Sequence, residues 1–310
     1  MSDASRKPDI SRFEGCLVGL AVGDALGMPA QGLTRHEIRV RWGRICGFLD
    51  GADLRAAQCT DDTQTAVVLA EGIVGCGRFD PEALAHGLVD WWAGGDLRRP
   101  GEGLAEACRR LESGIPWSES GSTFAGCAAA SRVVPVGMLH CVNREGLIED
   151  ASASSIVTHR DPRAVAGAVA IATAVSYLLA AGAPLDAASF IEATAAPSAQ
   201  CSTEMARAIR GLLDLLELAP RQAMEEIGYT GFALEAVPAA IYCFCAAHED
   251  FAESVLLAVN TGGAADSIGA MAGALSGAYL GLTGIPPDWA EGVEGSAHLR
   301  QLARGIHALA

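Results

Sequence analysis

Apolar residues along this chain recur at the three-and-four spacing of a helix face, segment after segment. No run alternates long enough to predict a strand. The pattern predicts helices over Phe13–Gly27, Thr60–Gly75, Pro81–Ala93, Leu104–Ser113, Gly126–Cys141, Ser202–Leu218, Phe232–Ala247, Phe251–Val259, Asp266–Leu282 and Ala297–Ala308. The punctuation between them agrees. Thr60 is an N-cap followed by two acids, Asp161-Pro162 joins a cap to an N1 proline, and Gly182 is a good stop for the helix that proline opens. No fixed-period repeat and no Pro/Gly/Ser linker divides the chain. The expected fold is all-α: a single-domain bundle of many helices over residues 13–310, preceded by a tail over 1–12.

The helix expected after Asp266 carries Gly269, Gly273, Gly277 and Gly281 at a spacing of four. Each glycine costs ~1 kcal/mol against alanine inside a helix. The stripe therefore predicts a groove, at the centre of the bundle, into which a neighbouring helix packs closely. Val165–Ala181 and Ile268–Leu282 are strongly apolar but shorter than the ~20 residues a membrane span needs, so they are expected to be buried central helices.

Composition sharpens this picture at three points. Aromatics make up only 5 % of a chain that is 50 % hydrophobic, so small and aliphatic side chains must fill the core. The net charge is −15 with no Lys/Arg cluster, which argues against nucleic-acid binding through phosphate neutralisation. Ten scattered cysteines contain no C-x-x-C, and Cys243 and Cys245 would lie about 200° apart on a helix. They are expected to be buried thiols. With no apolar signal-like run at the start, a reducing cytoplasm is the expected location and no membrane partner is expected.

Two helix starts are unusually acidic. "CTDDTQTAVVLAEGI" opens on Thr60-Asp61-Asp62, and "TGGAADSIGAMAGALSGAYLG" opens on Asp266-Ser267. Taken singly, each is a well-capped helix whose carboxylates favour its dipole. Together they allow a second reading, because carboxylates and hydroxyls are hard donors suited to Mg²⁺ or Mn²⁺. If the two N-termini meet, Thr60, Asp61, Asp62, Asp266 and Ser267 form one oxygen-rich cleft.

These segments, with "GCLVGLAVGDALGMPAQG", "GCAAASRVVPVG" and "VTHRDPRAVAGAVAIATA", stand in the order seen in ADP-ribosylglycohydrolases. The resemblance runs from about Phe13 to Trp289 and includes the dinitrogenase reductase-activating glycohydrolases. It implies an all-α fold with a dinuclear Mg²⁺/Mn²⁺ centre. It also implies hydrolysis of the N-glycosidic bond between ADP-ribose and a side chain, typically arginine. By matching position it makes Thr60, Asp61, Asp62, Asp266 and Ser267 metal ligands, with Asp61 or Asp62 steering the attacking water. It places Gly126, Cys127, Ala128, Ala129, Ala130 and Ser131 against ribose and diphosphate. His159 falls where a ligand-contacting histidine is common; as a lone histidine in an apolar setting it is equally a structural residue.

The chain departs from the family pattern at Ala264, where the first Asp of Gly-Gly-Asp-x-Asp is expected, and at Gln31, where many members have Glu. Ala128 and Ser131 replace the usual Gly and Met. Asp61, Asp62 and Asp266 supply three negative charges against four for two dications, so one cation firmly bound and a second weak or absent is the expectation. Gln31, aligned with the substrate, cannot serve as a general base. Three origins fit Ala264: a substitution made to trap a ligand, retuning to another ADP-ribosyl or ribosyl substrate, or lost catalysis with a retained binding cleft. An ADP-ribose-binding or structural protein on the same fold therefore stands beside the hydrolase, as does an enzyme acting on a free ribosyl nucleotide. Trp91–Gly103, "WWAGGDLRRPGEG", is a candidate rim for the cleft.

Overall fold

Glycine brings the two central helices together. A computed structural model describes residues 7–181 and 184–310. The first helix, Ile10–Gly27, runs antiparallel to Ala265–Leu280. The expected groove has its partner here, and that partner is grooved in turn: Gly15, Gly19, Gly23 and Gly27 face Gly277, Gly273, Gly269 and Ala265. A Cβ on Gly15 would stand 2.6 Å from the Gly277 carbonyl oxygen, and one on Gly27 would stand 2.5 Å from the Ala265 carbonyl carbon. Side chains larger than hydrogen cannot enter such a contact, so backbone packs on backbone.

The remaining helices wrap this pair. Helix Pro162–Ala180, capped by Asp161 with Pro162 at N1, lies beside it. That helix and the first are long and apolar enough to cross a membrane, but the bundle buries 83 % of one apolar window and all of the other. Among the described residues there is no strand, only three isolated bridges. Small aliphatic side chains fill the core as composition implies.

Several boundaries differ from those the pattern predicts. The first helix starts at Ile10, capped by Asp9, so part of the expected 1–12 tail is helical. Its Arg12 donates to carbonyl oxygens at the C-terminal ends of two other helices: Leu178 (2.7 Å), Leu179 (3.2 Å) and Ala181 (2.7 Å) beside one, and Ala278 (2.9 Å) in the other. Gly126–Cys141 is two short helices, Ala128–Arg132 and Val134–Leu139, because Pro135 lacks the N–H that would continue the ladder. Ser202–Leu218 breaks at Gly211 into Thr203–Arg210 and Leu212–Leu215. Gly182 lies outside the described residues; the helix before it ends at Ala180. Helices Arg35–Trp42, Leu147–Ile156, Ala187–Ser198 and Pro220–Ile227 are not among those the pattern predicts, although Pro220–Ile227 does bury one face, through Ala223 and Met224. All ten cysteines are free, but Cys46 and Cys76 are exposed and Cys201 half-buried, against the expectation of burial throughout.

Candidate active site

The antiparallel pairing carries the C-terminal turn of the first helix to the N-terminus of Ala265–Leu280. Asp24, in that turn, is wholly buried and acts as a hub. It accepts from the Thr60 N–H (2.9 Å), the Thr60 hydroxyl (2.8 Å), the Thr63 N–H (3.1 Å) and the Thr63 hydroxyl (2.5 Å). The start of helix Asp61–Cys76 is thereby pinned to the end of the first helix. Sequence reasoning missed Asp24. The signal was there, since an acid inside the apolar run "VGLAVGDALG" demands buried partners.

The Gly-Gly turn positions the other wall. Gly262 and Gly263 have φ of 85° and 62°, a left-handed conformation that glycine adopts without penalty. The Gly263 N–H donates to the Leu33 carbonyl (2.9 Å) and its own carbonyl accepts from Gly32 (2.7 Å). The Ala264 N–H donates to the Tyr229 carbonyl at 2.9 Å. These bonds set Gln31, Ala264 and Asp266 around one cleft.

The two acidic helix starts do meet. Ser267 donates its hydroxyl to Asp62 Oδ2 at 2.8 Å, and Ser131 donates to Asp62 Oδ1. Both Asp62 oxygens are therefore engaged. No described side chain donates to the Asp61 carboxylate; its backbone N–H donates to the Arg98 carbonyl at 2.9 Å. Asp266 Oδ1 accepts the Ser267 N–H (2.9 Å), while Oδ2 is buried without a partner. Burial, and then the charge of the neighbouring carboxylates, holds Asp61 and Asp266 well above the usual carboxylate range. Burial also raises Asp62, against the pull of its two serine bonds and Arg132, and raises Asp24 to about 7.

Behind the acids lies Arg132, wholly buried. It donates to the Ser154 carbonyl and the Thr158 hydroxyl, both at 2.8 Å, while Nε and Nη1 have no partner. Burial lowers its pKa to about 10, so it stays cationic at neutral pH. His159 Nδ1 sits 2.9 Å from the Thr158 hydroxyl, and burial followed by the Arg132 charge pushes this imidazole down to about 3.

The cleft has a volume of about 210 Å³. Of the residues singled out from sequence, Gln31, Asp61, Asp62, Asp266 and Ser267 line it on the acidic side. Gly126, Cys127, Ala128 and His159 line the other. Thr60, Ala129, Ala130 and Ser131 do not. Thr60 is turned to Asp24, Ser131 supports Asp62 from behind, and Ala129 and Ala130 are core residues on the inner face of their short helix. The expected rim is present in part: Arg99, Gly101, Glu102 and Gly103 line the cleft, whereas Trp91 faces a separate cavity and donates to Gln64 (3.2 Å). Sequence reasoning placed Arg99 only within that rim, because nothing in its neighbours shows that it reaches Gln31, 68 positions away.

One hard dication fits this donor set. The partnerless Asp266 Oδ2 and the undonated Asp61 carboxylate are oxygen ligands with free lone pairs, and their repulsion is what a cation would relieve. Two dications fit poorly. Asp62 and Thr60 are committed to protein donors and acceptors, and Ala264 offers no oxygen. Among the described residues no three His, Cys, Asp or Glu side chains are gathered around one point, so even a single dication would draw further oxygens from hydroxyl, main chain or solvent.

Comparisons with known proteins identify the family and the fold. The family model for ADP-ribosylglycohydrolase matches residues 5–310. An uncharacterized protein of Archaeoglobus fulgidus is 36 % identical over 302 residues, covering 96 % of each chain. The ADP-ribosylarginine hydrolase Tri1 of Pseudomonas putida is 29 % identical, over 96 % of this chain and 78 % of its own. A solved ADP-ribosylglycohydrolase-related protein complex superposes with a TM-score of 0.80 at 27 % identity, covering 97 % of this chain and 98 % of its own. By family model, sequence identity and fold, the chain belongs to the ADP-ribosylglycohydrolase family, hydrolases that act on ADP-ribosyl linkages.

Proposed function

We propose that this cleft hydrolyses the glycosidic bond at the anomeric carbon of ADP-ribose or a closely related ribosyl nucleotide, with Mg²⁺ or Mn²⁺ as cofactor, in the cytoplasm. The carrying observation is a carboxylate that no described side chain donates to, Asp61, beside the partnerless Asp266 Oδ2 in a cleft of about 210 Å³. Asp61, Asp266 and Ser267 would hold the cation, with Thr60 and Asp62 bracing them. When bound, it supplies the positive charge that lets these carboxylates ionise together and polarises the oxygens it touches.

The protein's own groups account for the rest. Asp61 takes a proton from the attacking water as its oxygen bonds to the anomeric carbon. The bond to the leaving group breaks and its electron pair departs with that group. Positive charge develops on the sugar at this point, and the acidic wall favours it. Asp62 is the poorer base, since serine hydroxyls occupy both of its oxygens. Gly126, Cys127 and Ala128 present little side chain, so ribose and diphosphate can approach the main chain there, with His159 as a neutral wall. The identification of a relative as an ADP-ribosylarginine hydrolase supports the reaction class.

Release of ADP-ribose from arginine-, ester- and phosphate-linked conjugates, with Mg²⁺ and with chelator, tests the proposal. Cation-dependent release that Asp61→Asn abolishes is the expected result. No release from any conjugate, with ADP-ribose still bound, would favour a second reading as an ADP-ribose-binding protein. That reading draws support from the two neutral residues in the cleft, Gln31 and Ala264.

A further inference from the structure

The first four N–H groups of a helix have no acceptor within it, and side chains at the helix start ordinarily supply one. In helix Asp61–Cys76 all four are met, and none of them by the Asp61 carboxylate. The Thr60 and Thr63 N–H groups donate to Asp24 Oδ2, at 2.9 and 3.1 Å. The Asp61 N–H donates to the Arg98 carbonyl at 2.9 Å, and the Asp62 N–H donates to the Thr60 hydroxyl at 3.4 Å. Asp24 lies 36 positions before Thr60, on another helix. The cap comes from outside the local sequence.

The second acidic helix start shows what a first-turn aspartate does without such a cap. Ala264, at the N-cap of Ala265–Leu280, makes no side-chain bond to that helix. Asp266 there turns Oδ1 back onto the Ser267 N–H, at 2.9 Å. One oxygen of that carboxylate thus serves the helix instead of the cleft. Asp62 is not free to turn, because Ser131 and Ser267 hold both of its oxygens. Asp61 is free to turn, since no described side chain donates to its carboxylate, yet it lines the cleft.

We propose that Asp24 is a positioning residue for the hydrolytic reaction: by capping Asp61–Cys76 from the first helix, it keeps the Asp61 carboxylate off its own helix and turned to the cleft. This rests on the hydrolytic reading above, in which Asp61 takes the water's proton, and adds the residue that leaves Asp61 available for it. A carboxylate suits the task because it accepts along about four directions and donates along none. Besides the two N–H groups, Asp24 takes the Thr60 hydroxyl on Oδ1 (2.8 Å) and the Thr63 hydroxyl on Oδ2 (2.5 Å). Without it the Thr63 N–H is released two residues beyond Asp61, the spacing at which an aspartate side chain bonds its own backbone.

A melting cycle in chelator tests this apart from turnover. Asp61→Ala should melt no lower than the wild type, since that carboxylate bonds no side chain there. In an Asp24→Ala background the same change should lower the melting temperature by several degrees, because Asp61 has by then taken the Thr63 N–H. Equal effects of Asp61→Ala in the two backgrounds overturn the proposal. If Asp24→Ala does not fold, the cycle is run on Asp24→Asn. Its neutral carbonyl is the weaker acceptor, so a smaller coupling of the same sign is expected, and no coupling overturns the proposal. Mn²⁺ calorimetry then separates positioning from general loosening. Affinity should fall at least tenfold in Asp24→Ala, fall less in Asp24→Asn, and hold in Arg12→Ala, which removes four bonds at the far end of the same helix. A loss in Arg12→Ala as large as in Asp24→Ala overturns the positioning role. A wild type that releases ADP-ribose from no conjugate overturns the hydrolytic reading instead, while the melting cycle still decides whether Asp24 holds Asp61 free.

Discussion

His159 stands with Nε2 close to Gly103 and Gly126, each of which leaves space that a larger residue would fill. Its pKa is depressed to about 3, first by burial and then by Arg132, so it stays neutral while the unfolded chain's histidine takes a proton near its ordinary value. Below that value the unfolded state binds more protons, so stability falls with pH until about 3, by at most about 1.4 kcal/mol per pH unit from this residue. The His159 ring resonances should therefore not titrate between pH 8 and 5 by NMR, and His159→Gln should flatten the corresponding part of the acid-stability curve. Asp266 gives the opposite kind of test, because its free oxygen costs stability unless a cation meets it. Asp266→Asn should abolish Mn²⁺ binding in titration calorimetry, yet melt no lower than the wild type in chelator. At this scale the sequence announced the acids, since capping residues sit beside the helices they start. It hid Asp24 and Arg99, whose partners are brought to them only by folding.

Helix identity was most legible where local signals agreed. Asp161-Pro162 and Thr60-Asp61-Asp62 both begin helices where their capping chemistry says they should. Pattern failed where continuous apolar composition concealed a break, as at Pro135, or where a short helix packed too few residues to mark a face. The glycine stripe on Ala265–Leu280 was readable as a groove, but its match on the first helix becomes meaningful only once the two are paired. Gly19→Ala and Gly273→Ala would each drive a methyl group into the opposing carbonyl. Each should lower stability by about 1–3 kcal/mol or more in denaturant titration, and should weaken cation binding in proportion as the helices separate. Arg12→Ala removes four donations to the ends of two helices. A loss of about 3 kcal/mol is expected, from charged hydrogen bonds each worth about 1.5–3 kcal/mol but not additive.

For the molecule as a whole, the buried acids make stability depend on what it binds. A dication that binds the native state alone raises the melting temperature with concentration. The expected stoichiometry by calorimetry is one per chain. Ala264→Asp adds a carboxylate at a position lining the cleft, and should move that number toward two while increasing any hydrolytic rate. A wild type that already binds two would remove the argument from charge. Because the two central helices meet main chain to main chain, the cleft's frame is set by atoms that every amino acid possesses. Side chains that line it, Gln31 and Ala264 among them, can then be exchanged without moving the axle on which the site is mounted. A fold built in this way is a chassis for changing chemistry, and its weakest points are the places where it carries no side chain at all.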